Sequence, residues 1–163
     1  MNIAVVVGNP KPESRTLDAA RSLATDLGGG PPTVVVDVIT LGPGLLGWGD
    51  ATVTSAVDAV RGCDVAIIAS PTYKGAYTGV LKLFLDQFPS GGLAGVTALP
   101  VMLGAGPGHA MAPDLVLKPV LVELGATCPV KGLYLLDSAY RDSALLAPWL
   151  AAVRRALPVT VGS

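Results

Sequence analysis

Val65-Ala-Ile-Ile-Ala-Ser-Pro-Thr-Tyr-Lys-Gly-Ala-Tyr-Thr-Gly-Val-Leu-Lys-Leu-Phe-Leu-Asp86 contains a complete strand–loop–helix unit. Val65–Ala69 is apolar at every position, as in a strand covered on both faces. Tyr77, Val80, Leu81, Phe84, Leu85 and Phe88 recur at helical spacing. Between them, Ser70–Gly79 holds one Pro, two Gly, two Tyr and one Lys. A loop of this kind at the end of a buried strand offers backbone N–H groups and aromatic faces to a ligand.

The same alternation runs through the chain. Apolar, β-rich runs occur at Ile3–Val7, Thr33–Ile39, Asp64–Ala69, Thr97–Leu103 and Thr127–Leu136. Helical periodicity occurs at Leu17–Leu27, Ala51–Arg61, Tyr77–Phe88, Ala112–Leu124 and Ser143–Leu157, with Pro119 expected to kink the fourth. Right-handed crossovers turn such a pattern into a parallel sheet with helices on both faces. No linker divides residues 1–163, so they read as a single domain.

Composition narrows the function. Of the 163 residues, 51% are hydrophobic and the net charge is −1. That balance gives no basic face for nucleic acid and no polybasic run for a membrane surface. The apolar start Met1–Gly8 is too short to span a bilayer and lacks a signal peptide's basic flank, which points to a cytoplasmic protein. Cys63 and Cys128 have no second Cys or His at ligand spacing; they read as buried thiols, and no metal site is expected.

In an open parallel sheet the ligand lies beyond the carboxyl ends of the strands. Three loops meet there. The first, Gly8–Thr16, is neither a dinucleotide fingerprint nor a P-loop. Its Ser14-Arg15-Thr16 end stands at a helix N-terminus, with Lys11 nearby. Hydroxyls, free N–H groups and a guanidinium suit a phosphate monoester, although Ser14 or Thr16 also serves as a plain N-cap. In the second loop Tyr73 reads as a ligand contact and Tyr77 as packing, while Lys74 is either a cation at the ligand or a solvated lysine. The third, Gly104-Ala-Gly-Pro-Gly-His109, permits close backbone approach to a planar ligand or forms an ordinary turn. His109 is the only histidine and has no Asp or Ser partner at triad spacing. No nucleophile elbow or carboxylate pair is present, so the chemistry falls to a cofactor and no catalytic side chain is assigned.

The Gly8–Thr16 loop and the Ser70–Asp86 signature resemble those of the NADPH-dependent FMN reductase family. The branch that supplies reduced FMN to sulfonate monooxygenases is the nearest likeness, with Gly104–His109 and Leu117–Leu121 fitting it too. The resemblance implies a flavodoxin-like three-layer fold with a five-stranded parallel sheet in order 2-1-3-4-5. It implies FMN as cofactor and NADPH or NADH as reductant. Asn9, Lys11, Ser14, Arg15 and Thr16 match phosphate-binding positions. Pro71, Thr72, Tyr73, Lys74 and Gly75 match the loop at the isoalloxazine ring, and Gly104, Ala105 and Gly106 the third flavin loop. It also implies a homodimer or homotetramer built largely on the Tyr77–Phe88 helix, and a flavin-dependent monooxygenase as partner. Asn9 stands where Ser is common in the family. Leu115 stands where the sulfonate branch carries Tyr or His in a bulged turn. Within the same fold, a quinone or azo reductase with bound FMN is an alternative. So is a flavodoxin-like electron carrier, against which the near-neutral charge and the Lys11/Arg15 loop both count.

Overall fold

The computed structural model describes residues 1–157. Five parallel strands form one sheet: β1 Ile3–Val7, β2 Val34–Asp37, β3 Val65–Pro71, β4 Thr97–Gly104 and β5 Leu133–Leu136. Their spatial order is 2-1-3-4-5. Neighbouring strands run in register from Val7↔Asp37 to Val7↔Ala69, Ala69↔Val101 and Val101↔Leu133. The carboxyl ends of β1, β3 and β4 therefore open on one edge. Residues 158–163, the end of the expected domain, lie outside the described part.

Alternate strand residues feed two cores. Val5, Val7, Ile67 and Val101 face α1 (Arg15–Gly28) and α5 (Leu146–Ala156). Val6, Ile68 and Met102 face α2 (Ala51–Arg61), α3 (Gly79–Leu85) and α4 (Lys118–Glu123). This explains why the strands read as continuous apolar runs: both faces are covered. Cys63 is buried as expected, whereas Cys128 is only partly buried.

Several boundaries differ from the sequence expectation. β2 stops at Asp37, and Val38–Leu46 winds into 3₁₀ turns broken at Gly42. The expected strand Thr127–Leu136 is paired only through a bridge at Thr127 and then β5 proper; Pro129 lacks the N–H a ladder needs. The last helix begins at Leu146, three residues later than expected. The fourth helix is two pieces, a π turn over Pro113–Leu117 followed by α4. Pro119 cannot donate to residue 115 and its ring crowds that carbonyl. The wider turn, in which the Lys118 N–H bonds the Pro113 carbonyl, absorbs the missing donor. Leu115 lies in this turn and is exposed.

The α3 stripe packs largely inward. Leu81, Phe84, Leu85 and Phe88 are buried in the chain's own core, with Phe84 and Phe88 edge to face at 5.4 Å. Tyr77 and Val80, the other two residues of the stripe, are partly buried against the same core. Only Leu83 of this helix stands out as an exposed large apolar side chain.

Candidate functional site

The first loop is shaped by its own hydrogen bonds. The Asn9 carboxamide accepts the Lys11 N–H at 2.9 Å and donates to the Thr16 hydroxyl at 3.2 Å. Glu13 takes a left-handed φ of 48°, and its N–H is held by Asp37. Ser14 then caps α1, its Oγ accepting the Leu17 N–H. Among the described residues the N–H groups of Ser14, Arg15 and Thr16 have no acceptor. They lie at the positive end of a 14-residue helix. Ser14 is thus an N-cap, and its hydroxyl proton stays free to donate as well.

The second loop is a miniature hairpin. Tyr73 and Ala76 exchange both backbone hydrogen bonds, at 2.8 and 3.1 Å. Lys74 and Gly75 fill the turn with φ of 54° and 79°, the left-handed pair of a tight hairpin turn. The Tyr73 N–H is therefore spent inside the hairpin, and the tip N–H groups are those of Lys74 and Gly75. Thr78 ties the loop down: its hydroxyl donates to the Gly8 carbonyl at 2.5 Å, and its N–H bonds Ser70 Oγ at 3.0 Å. Gly8 is required where α3 crosses β1, because a Cβ there would meet the Leu81 backbone.

Tyr134 of β5 positions the third loop. Its hydroxyl donates to the Gly106 carbonyl at 2.7 Å and fills the space a side chain at Gly104 would need. His109 packs over Gly75.

The three loops enclose a cleft of about 370 Å³. Asn9, Lys11, Ser14, Arg15, Thr16, Pro71, Thr72, Tyr73, Gly104 and Ala105 line it. Lys74, Gly75 and Gly106 do not line the cleft itself. Glu13, Leu103 and Asp137 do, and sequence reasoning missed them. Arg15 donates to the Asp137 carbonyl at 3.2 Å, leaving its other N–H groups free for an anion. Thr72 Oγ1 is buried with no partner among the described residues. A more apolar groove of about 480 Å³ lies beside β5, lined by Leu136, Leu145, Pro148 and Trp149, with Lys131 as a cationic wall residue. It lacks the anion donors of the cleft.

The model of the NADPH-dependent FMN reductase family matches residues 1–141. The chain belongs to that family. It is 39% identical over 85 residues to an FMN reductase (NADPH) of Escherichia coli, covering 52% of this chain and 44% of that protein. It is 35% identical over 100 residues to an FMN reductase (NADPH) of Pseudomonas putida, covering 60% and 51%. The matched stretches thus span about half the length of those two relatives. The apo crystal structure of an NADH:FMN oxidoreductase (EMOB) superposes with a TM-score of 0.85 at 32% identity, covering 94% of this chain and 87% of that one. Four charged residues line the cleft, Lys11, Glu13, Arg15 and Asp137. Burial, together with the neighbouring Glu13, raises the Asp37 carboxyl above the usual carboxylate range, against the pull of its Glu13 N–H bond and of Arg21. Among the described residues no cluster of His, Cys, Asp and Glu could hold a metal ion.

Proposed function

We propose that the cleft holds FMN and that the protein is an NAD(P)H-dependent FMN reductase. The observation that carries this reading is the donor set at one end of the cleft. Three unspent N–H groups, the Ser14 hydroxyl, Arg15 and Lys11 converge where a phosphate would be favoured by the α1 dipole. The other end fits a flat heterocycle. Pro71, Thr72 and Tyr73 form a wall there, the Thr72 hydroxyl lacks a partner, and Tyr73 is 52% exposed. A flavin mononucleotide has one phosphate and one ring system to match both ends.

When bound, FMN supplies the redox chemistry, accepting a hydride from the nicotinamide of NADPH or NADH. The protein's residues bind and orient. Ser14, Arg15, Thr16 and Lys11 neutralise the phosphate, with Asn9 bracing the loop. The N–H groups of Lys74 and Gly75, at the hairpin tip outside the lining of the cleft, are read as donors to negative charge on the ring edge. Gly104 and Ala105 form the third wall, with no side chain larger than a methyl to block ligand approach, and Gly106 lies behind them, its carbonyl held by Tyr134.

Reduced FMN is read as the product handed to a flavin-dependent monooxygenase, on the likeness to the sulfonate branch. A homodimer or homotetramer fits the apolar side chains left exposed at Leu83, Leu115, Val122, Leu46 and Trp48. A cytoplasmic location rests on the two free thiols, Cys63 and Cys128, which suit a reducing compartment. No helix of the described residues is long and apolar enough to cross a membrane. The test is a steady-state assay in which FMN and each nicotinamide are varied in turn. FMN-dependent oxidation of NADPH or NADH is expected. Oxidation that does not depend on added or bound FMN contradicts the reading.

A further inference from the structure

Asp37 ends β2 beside Val7, the last residue of β1. It is only 9% exposed. Its Oδ2 accepts the Glu13 N–H at 3.0 Å, and its Oδ1 is buried with no partner among the described residues. A carboxylate next to a phosphate loop is unfavourable by charge, so it needs another reason to be there. Glu13 supplies one. It is one of two non-glycine residues with a left-handed φ among the described residues, and it directly precedes the N-cap Ser14. A side-chain-bearing residue stays in that region only where its surroundings hold it. The Glu13 carboxylate turns outward, 3.6 Å from Arg21, so the grip on its backbone N–H comes from Asp37. Ser14, Arg15 and Thr16, which follow this kink, line the cleft, and their N–H groups have no acceptor among the described residues. The charged side chains acting on Asp37 are Glu13 from the loop and Arg21 from α1.

We infer that Asp37 is a positioning residue for phosphate. Through the Glu13 N–H it keeps the first loop in its anion-accepting shape, and it touches no ligand itself. The inference rests on reading the cleft as the FMN site. What Asp37 contributes is an acceptor oxygen, not its charge, so an amide at this position does the same work.

The test compares binding of FMN with binding of riboflavin, which lacks the phosphate, by quenching of flavin fluorescence. Wild-type protein, Asp37→Ala, Asp37→Ser and Asp37→Asn are titrated at one salt concentration, with thermal unfolding measured alongside. Asp37→Ala and Asp37→Ser are each expected to weaken FMN about tenfold, which is about 1.4 kcal/mol, the scale of one hydrogen bond. Riboflavin affinity stays unchanged. Asp37→Asn stays within about threefold of wild type for FMN, because its Oδ1 accepts the same N–H. Three results overturn the inference: unchanged FMN affinity in Asp37→Ala or Asp37→Ser, equal weakening of FMN and riboflavin, or an Asp37→Asn protein as impaired as Asp37→Ala. If Asp37→Ala does not fold, Asp37→Asn alone still decides, since a tenfold loss of FMN affinity there contradicts the acceptor role. Wild-type protein that binds FMN no better than riboflavin overturns the phosphate site itself.

Discussion

Replacing Gly8 by Ala tests how tightly the first and second loops are locked together. Gly8 does not have a positive φ, so alanine can adopt its backbone conformation. The obstacle is space. A Cβ there would lie 2.6 Å from Leu81 Cα and 2.8 Å from Leu81 N, with Leu81 Cβ closer still. Carbon atoms are comfortable at about 3.5–4.0 Å, so α3 must retreat by roughly 1 Å. These are backbone atoms of a helix buried on one face, and no rotamer change relieves them. The same retreat stretches the 2.5 Å bond from the Thr78 hydroxyl to the Gly8 carbonyl past useful length. Overpacking costs about 1–3 kcal/mol, and the hydrogen bond about 0.5–1.5 kcal/mol. Alanine returns about 0.4–1 kcal/mol by restricting the unfolded chain. At the centre of these ranges the net loss is about 2 kcal/mol, or a fall in Tm of roughly 4–8 °C for a chain of this size. Calorimetry and circular dichroism measure it directly. A Gly8→Ala protein whose Tm falls by less than about 2 °C, on the same scaling, refutes the close α3–β1 crossing.

Gly104→Ala meets a side chain rather than backbone, with Tyr134 Cζ 2.8 Å from the new Cβ and the hydroxyl nearer. It is expected to cost about 1–3 kcal/mol, and adding Tyr134→Phe should recover part of the loss in a double-mutant thermal series. Lys74→Pro fixes φ near −65° where the hairpin needs a positive value. It should weaken FMN binding at least about tenfold and cost more than about 1 kcal/mol of stability, the expectation for proline at an incompatible φ, as read by flavin titration and by denaturant unfolding. Asp37 has a raised pKa because of its burial. The folded state therefore holds its proton more tightly than the unfolded chain, and stability falls as pH rises from the ordinary carboxylate value through the raised one. Asp37→Asn should accordingly be more stable than wild type at neutral pH, with the advantage vanishing as pH falls below the ordinary carboxylate range; thermal scans across that range check the sign.

Much of the fold was legible because its cause is local. Runs such as Ile3–Val7 and Val65–Ala69 are apolar on both faces, and glycine and proline punctuate them, so five strands follow from pattern alone. Ser14 announced its cap, and ten residues singled out for the ligand line one cleft. What stayed hidden depends on contacts between distant residues. Thr78 reaches Gly8 across 70 positions, Asp37 holds Glu13 across 24, and Tyr134 holds Gly106 across 28. None of these pairs leaves a periodic trace. The Tyr73–Ala76 hairpin was obscured by Lys74, since lysine does not advertise a left-handed turn as glycine or asparagine does. The apolar stripe of α3 was legible as a helix face, but spacing does not say whether a face meets its own core or another chain. Pro119 signalled an irregularity, and only the packing of Pro113 against Gly132 shows where the wide turn sits.

Whether one cleft binds FMN and presents it to a nicotinamide is decided by anaerobic mixing. The purified protein is combined with FMN and then with NADPH or NADH, and the flavin's visible absorbance is followed. Bleaching is expected with at least one nicotinamide, faster than in a mixture without protein. Absorbance that stays at the protein-free rate with both nicotinamides overturns the assignment.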